Sequence, residues 1–422
     1  MWFLATPAVP VEKFLDSIGA NSAISVRGEK LDETARLAKY IGIRWFRSGY
    51  ESMESNADLF ELHKRTGVKF SYGLGSGGTD LKRLLREGSE LAKVGALLAF
   101  EGPNEPNNWP ITYNGATGGR GETSWKPVAE LQRDLYAGVK ADPLLKKYPV
   151  WSPSEAGAQF DNTGLQFLKI PIGATTIFPV GTQYADFANV HNYVFHPNSP
   201  KLIDNKAWNA SDPSPSCPID GLYGEFGQTW AKHFPGYSEK ELETLPRVTT
   251  ETGMTIDEQV NEETHGKLII DLYLSQFKRG WSYTALYLLR DRVDEGGNQA
   301  FGMVRPDYTV RPAGEYLHNL TTILHQEKTV GTYGKSLGYS IPNQPKTNHD
   351  LLLSRADGSF DLIVWSERFP GKDSVEIKFD RPARSVVIYD PTVGVKPMKE
   401  VGRTESLSLT FTDHPLVLRI RN

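Results

Sequence analysis

Two glutamates stand where paired carboxylate chemistry can be built. Glu105 lies in the stretch Phe100-Glu101-Gly102-Pro103-Asn104-Glu105-Pro106, and Glu251 in Val248-Thr249-Thr250-Glu251-Thr252-Gly253, each closing a short apolar run. One carboxyl group that protonates a leaving oxygen, with a second that attacks the carbon left behind, is the pair that cleavage of a glycosidic bond requires. For a covalent, configuration-retaining route the two groups must stand ~5–5.5 Å apart, too close for a water between them. The nucleophile must stay ionised, which a cation such as Arg47 favours, and its charge in turn helps to keep the acid protonated. An Asn-Glu-Pro turn can equally cap a helix. Glu101 competes with Glu105, although its place before Gly102-Pro103 suits a structural hydrogen bond better.

The rest of the chain must bring these groups together. Short β-branched or aromatic runs recur at residues 23–26, 43–47, 68–72, 96–101, 150–152, 187–191, 247–251 and 283–288, the look of strands buried on both faces. Amphipathic segments lie between them at residues 31–41, 79–94, 126–140 and 264–279. Strand and helix alternating eight times over roughly 300 residues point to an α/β fold, a closed (β/α)8 TIM barrel, whose reactive groups sit at the carboxyl ends of the strands. An open doubly wound sheet is the alternative. It would carry a Gly-rich phosphate turn after its first strand, whereas Gly73, Gly75, Gly77 and Gly78 follow the third run with no Walker lysine and read as a flexible loop. Beyond about residue 325 the helical period gives way to polar-apolar alternation at residues 374–379 and 406–411, with a hairpin signal at Ala356-Asp357-Gly358-Ser359. The expected domains are a catalytic barrel over residues 1–324 and an antiparallel β-sandwich over residues 325–422.

Asn104-Glu105-Pro106 at the end of a fourth strand, with Glu251 at the end of a seventh, resembles the retaining glycoside hydrolases of clan A over residues 20–324. The sandwich that follows is similar to that of barrel-plus-sandwich families such as family 39. The resemblance implies Glu105 as acid/base, Glu251 as nucleophile and Asn104 as the partner of a sugar 2-hydroxyl. It also matches Arg47 to the arginine that supports the nucleophile, and His191-Asn192-Tyr193 to a His-x-Tyr pattern after strand six. Many clan members stack the sugar on a tryptophan closing strand eight. Here that end reads Tyr287-Leu288-Leu289, while Trp281 lies at the strand's start, so Tyr287 or Tyr193 is the expected platform. Trp109, Tyr113, Trp125, Trp208, Tyr223 and Trp230 lie in or near the loops after strands four and six, where aromatic faces can stack on sugars, Trp109 foremost. Glu155, just past the fifth run, is a further candidate substrate contact.

Composition bounds the partner. The 422 residues carry 47 Lys+Arg against 51 Asp+Glu, with no long block of one sign, so backbone neutralisation of a nucleic acid is not expected. No apolar run reaches the ~18 residues of a membrane span. The single cysteine, Cys217, permits no internal disulfide. The expected partner is an uncharged oligo- or polysaccharide, with no cofactor and no metal: no His-Glu-x-x-His motif occurs, and Asp291, Asp294 and Glu295 read as a solvated loop sooner than a Ca²⁺ site. Met1 to Pro7 lack a basic n-region and do not read as a signal peptide, and a secreted or periplasmic mature chain is favoured over a cytoplasmic one. The rival function is a carbohydrate-binding protein on a degenerate barrel.

Overall fold

The computed structural model describes residues 5–51, 54–106, 108–120, 126–154, 183–193, 245–258, 260–327, 330–345, 348–366 and 372–422. Eight parallel strands form the barrel: Ile18–Asn21, Trp45–Ser48, Lys69–Leu74, Leu97–Pro103, Val150–Trp151, Ala188–His191, Arg247–Thr252 and Trp281–Leu286. The fifth and sixth meet through a parallel bridge between Trp151 and Phe187, with Asp186 N–H donating to the Val150 carbonyl at 2.7 Å and Ser152 N–H to that of Phe187 at 3.0 Å. That closes the ring, and the open-sheet alternative is set aside.

Local chemistry starts and stops the outer helices. Ser55, Asp80 and Asn261 accept a backbone N–H at the N-termini of Asn56–Thr66, Leu81–Lys93 and Glu262–Lys278. Leu31–Ile41 ends on Gly42, whose φ of 89° is a left-handed turn that glycine adopts freely. Leu31–Ile41, Leu81–Lys93 and Glu262–Lys278 fall within a few residues of the expected segments, and Asn56–Thr66 is a further helix between the second and third strands.

The first strand departs from expectation. Residues 23–26 form a turn, with Ser25 and Val26 N–H groups both on the Ala23 carbonyl and Ile24 at φ 61°, while the strand runs through Ile18–Asn21. The reason is the barrel interior. A Cβ on Gly19 would sit 2.2 Å from Trp45 Cε2, so this strand carries glycine where a β-branched pattern would otherwise announce it. The eighth strand likewise begins earlier, at Trp281.

Period-two alternation fills the barrel in layers. At the amino-terminal end Trp45, Ala99, Trp151, Val248 and Ala285 pack together with Phe187 and Tyr283. Trp45 meets Trp151 edge-on at 5.5 Å, and Tyr283 lies 5.6 Å from Trp151. The next residues pointing inward are polar: Arg47, Glu101, Asn189 and Thr250, all buried. The aromatic layer shuts the lower end, so the polar layer opens only toward the carboxyl ends of the strands.

The sandwich has a four-stranded sheet (Ala5–Pro7, Ser336–Ser340, Asp373–Ala383, Thr404–Phe411) facing a six-stranded one (Lys399–Val401, Ser385–Tyr389, Leu416–Arg421, Phe360–Ser366, Asn348–Ser354, Val9–Pro10). Leu362, Val364, Ile377, Phe379, Leu418 and Ile420 fill the space between them. Ala5–Pro7 and Val9–Pro10, which precede the barrel, thus extend the two sandwich sheets. The sandwich also holds the last barrel helix, Pro312–Leu324. Arg355 donates to the Leu324 and His325 carbonyls at 3.0 and 2.8 Å and Arg419 to that of Ile323 at 2.5 Å, both arginines being held by the buried Asp361. Asn319, in a glycosylation-like triplet, lies in this helix and donates to the Pro391 carbonyl at 2.8 Å. Among the described residues no helix is long and apolar enough to cross a membrane.

Candidate active site

Arg47 organises the polar layer. It closes the second strand with 1% of its surface exposed. Its Nε and Nη2 donate to the two Glu101 oxygens at 3.0 and 2.6 Å, Nη2 also reaches Asn104 Oδ1 at 2.7 Å, and Nη1 donates to Glu251 Oε1. The Tyr50 ring lies 4.5 Å from the guanidinium carbon. Between two carboxylates and an aromatic face, the Arg47 pKa is pushed upward despite full burial. Gly73 leaves room for this pairing, since a Cβ there would stand 3.1 Å from Glu101 Cβ. Glu101 is therefore the structural partner the Gly102-Pro103 context suggests.

Glu251 closes the seventh strand. Besides Arg47 it accepts the Tyr193 hydroxyl at 2.7 Å on Oε2. Burial and the adjacent Glu251 carboxylate raise the Tyr193 pKa well above its ordinary value, so the phenol keeps its proton and remains a donor. One oxygen of Glu251 thus faces a fixed cation and the other a fixed hydroxyl, which together hold and aim the carboxylate.

Glu105 reaches the same space from the fourth strand's end through an unusual backbone. After the strand, Asn104 bridges to Ser154, and Glu105 takes φ 40°, a left-handed conformation uncommon outside glycine. Asn108 Nδ2 donates to its Oε2 at 2.9 Å, and His191 Nδ1 lies 2.7 Å from its Oε1. The same Nδ1 stands 3.5 Å from Glu251 Oε2. Burial lowers the His191 pKa to about 4, with Glu251 opposing that shift and Arg47 reinforcing it, so the imidazole is neutral near pH 7. Ligating atoms of Glu105, His191 and Glu251 lie within 4.8 Å of one another. This triplet could in principle hold a cation, but Arg47 already supplies positive charge to Glu251. One oxygen of Glu105 and one of Glu251 lie within 4.8 Å of each other.

Asn104 is drawn in on both sides: its Oδ1 accepts from Arg47, and its Nδ2 donates to Ser76 Oγ at 3.0 Å. Tyr287, after the eighth strand, packs with Tyr193 and Phe301 at ring separations of 6.2 and 5.4 Å, beside the Tyr193–Glu251 hydrogen bond. Trp281 is buried at the opposite end of its strand under Arg247. Trp109 is 52% exposed, with its backbone N–H on the Glu105 carbonyl at 2.8 Å. The Tyr113 hydroxyl donates to Asp134 at 2.9 Å, pinning its loop to the helix Lys126–Ala141. Asp291, Asp294 and Glu295 are ion-paired to Arg311 or Arg27. Glu155, Trp125, Trp208, Tyr223, Trp230 and Cys217 lie outside the described residues.

The sequence reading misses Tyr50, Asn108, Ser154, Asn189 and Thr250. Two of these carried a signal. Thr250 follows Val248, and Asn189 follows Phe187, at the spacing that turns both side chains of each pair into the barrel. Glu251 joins Thr250 on the inside because the strand's register shifts between Thr249 and Thr252, which the sequence does not announce.

No protein-family profile and no curated protein matches the sequence. Solved structures do. A family 39 glycoside hydrolase from the gut symbiont Bacteroides cellulosilyticus WH2 superposes with a TM-score of 0.63 at 14% identity, over 99% of this chain and 83% of that one. An α-L-arabinofuranosidase from Thermotoga maritima, solved with arabinose, gives 0.58 at 10% identity over 99% and 97%. A GH39 enzyme from Xanthomonas axonopodis pv. citri gives 0.52 at 13% identity over 99% and 96%. The chain has the barrel-plus-sandwich fold of these proteins.

Proposed function

We propose that the chain is a retaining glycoside hydrolase of the clan A type, acting on an oligo- or polysaccharide, with Glu251 as nucleophile and Glu105 as acid/base. The observation that carries this reading is the approach of two carboxylates within 4.8 Å from the ends of strands four and seven, with Glu251 held by Arg47. Glu251, fixed by Arg47 and Tyr193, attacks the anomeric carbon while Glu105 gives its proton to the leaving oxygen. Formation of the glycosyl ester removes the charge of Glu251, and Glu105 then accepts a proton from the water that attacks from its side. Asn104, oriented by Arg47 and Ser76, is placed to meet a sugar hydroxyl beside the reacting carbon. Tyr287 and Trp109 offer the aromatic surfaces.

The fold of family 39 and arabinofuranosidase structures supports the reading. A glycan-binding protein would have no use for an unequal carboxylate pair at this distance. Incubation with a panel of activated 2-fluoro glycosides, which form the ester and release it slowly, should add one sugar to Glu251, located by peptide mass spectrometry. Turnover of aryl glycosides without any label at Glu251, or binding of glycans with neither turnover nor label, overturns it.

A further inference from the structure

Thr250 has one hydroxyl hydrogen and four polar neighbours, and counting hydrogens places one on Nε2 of His191. Thr250 Oγ1 lies 2.9 Å from Glu101 Oε1, 3.0 Å from Asn189 Nδ2, 3.2 Å from Asn189 Oδ1 and 3.0 Å from His191 Nε2. Asn189 Oδ1 already accepts the backbone N–H of Thr250 at 3.2 Å, which fixes the orientation of that amide. Its Nδ2 is therefore a donor to the hydroxyl. Glu101, in its double hydrogen bond with Arg47, is an acceptor only. The Thr250 hydrogen goes to Glu101, the stronger of the two acceptors. What remains toward His191 is a lone pair on oxygen, so Nε2 must carry hydrogen. A neutral imidazole with hydrogen on Nε2 has a bare Nδ1, and the atom facing Nδ1 at 2.7 Å is Glu105 Oε1. With the imidazole neutral, as its burial favours, a protonated Glu105 meets that contact by donating from Oε1 to Nδ1, while its other oxygen accepts from Asn108.

We propose that Thr250, oriented by Glu101, is a positioning residue that locks His191 in its Nε2–H tautomer and so holds Glu105 in its acid form at rest. The proposal rests on the reading of Glu105 as acid/base and adds how its proton is kept. The same lock serves both half-reactions. Once Glu105 has given its proton away, its carboxylate faces a nitrogen lone pair, which makes it a stronger base toward the incoming water. Among the described residues the charged and titratable groups around His191 are Glu105 after strand four, Glu101 on that strand, Glu251 on strand seven and Arg47 on strand two, with Tyr193 beyond it on its own segment.

Two measurements test the relay in the full chain. The ¹⁵N shifts of the imidazole, assigned by difference with His191→Gln, should show hydrogen on Nε2 in the wild type; hydrogen on Nδ1 overturns the proposal whether or not the protein turns over a glycoside. Thr250→Val removes the hydroxyl at nearly constant shape and frees His191 to donate from Nδ1 to ionised Glu105. The basic limb of the pH profile of kcat/KM should then move down by about one unit, and Thr250→Ser should restore it. A basic limb unchanged in Thr250→Val overturns the proposal. Absence of turnover in the wild type on every glycoside tried would instead count against the function itself, and the tautomer would still be read from the spectrum.

Discussion

Arg47 is bound to Glu101 through two hydrogen bonds, at 3.0 and 2.6 Å, and this pairing leaves its Nη1 to reach Glu251. Glu101 acts as the anchor that sets the plane of the guanidinium, and Glu251 receives what that plane presents. Replacement of Arg47 by Met should leave Glu101 as a fully buried charge without its counterion. Loss of about 3–5 kcal/mol of stability is expected, read as a shift in the denaturant midpoint. A variant as stable as the wild type would show that the pair is dispensable to the fold.

Glu251→Gln should behave oppositely. Arg47 keeps its bonds to Glu101 and Asn104, so the melting temperature should stay close to that of the wild type, while turnover falls by about 10⁴-fold or more. Steady-state rates on an aryl glycoside, set beside calorimetry of the same preparation, separate the two effects. Residual activity within tenfold of the wild type would remove Glu251 from the nucleophile's role.

Tyr193→Phe retains the ring contacts with Tyr287 and Phe301 but removes the 2.7 Å hydrogen bond to Glu251. A hydrogen bond to a charged group contributes about 1.5–3 kcal/mol, so kcat should drop by roughly 10- to 100-fold. If KM alone changes, the hydroxyl serves binding and not the orientation of the nucleophile.

The pH dependence of stability has two arms of opposite sign. His191 and His265 are buried with their pKa values lowered to about 4, mainly by loss of solvent, so the unfolded chain binds more protons below pH 6.5. Stability should fall as pH drops from 6.5 toward 4. His414 is raised to about 9 by hydrogen bonds and charge from Asp390 and Asp413, which outweigh its burial, with Lys267 also on Asp413. Its contribution is complete below pH 6.5 and is lost as pH climbs through 9. Melting temperatures across pH 5–10 should therefore decline on the alkaline side in the wild type, and much less in His414→Gln. Parallel curves would show that this histidine does not control the alkaline limb.

The barrel was legible because helices such as Leu31–Ile41 and strands such as Lys69–Leu74 obey a simple period and are packed on predictable faces. That Glu105, Glu251, Arg47, His191 and Tyr193 come together was legible because such a barrel gathers the side chains at its strand ends. The first strand was not, because Gly19 answers to Trp45 across the barrel and not to its own neighbours in sequence. Nor was the inward turn of Glu251 beside Thr250, or the left-handed backbone of Glu105. These arise from register shifts and chain crossings that no local periodicity encodes. Asn189 and Thr250 fell between the two cases, since their alternation with Phe187 and Val248 was readable but small polar side chains attract no notice until their partners are seen.

The strands Ala5–Pro7 and Val9–Pro10 give the molecule a nested order: the chain lays down two edges of the sandwich, makes the entire barrel, and returns to complete the sandwich with Leu416–Arg421. The barrel is thus a guest inside its smaller neighbour, tethered at both ends. During synthesis the two opening strands must wait for partners more than 300 residues away, at Ser336–Ser340 and Asn348–Ser354. The strand Leu416–Arg421 supplies Arg419, which donates to the Ile323 carbonyl of the final barrel helix. The last barrel helix is thus held from two segments of the sandwich that lie far apart in sequence, by Arg355 at Leu324 and His325 and by Arg419 at Ile323.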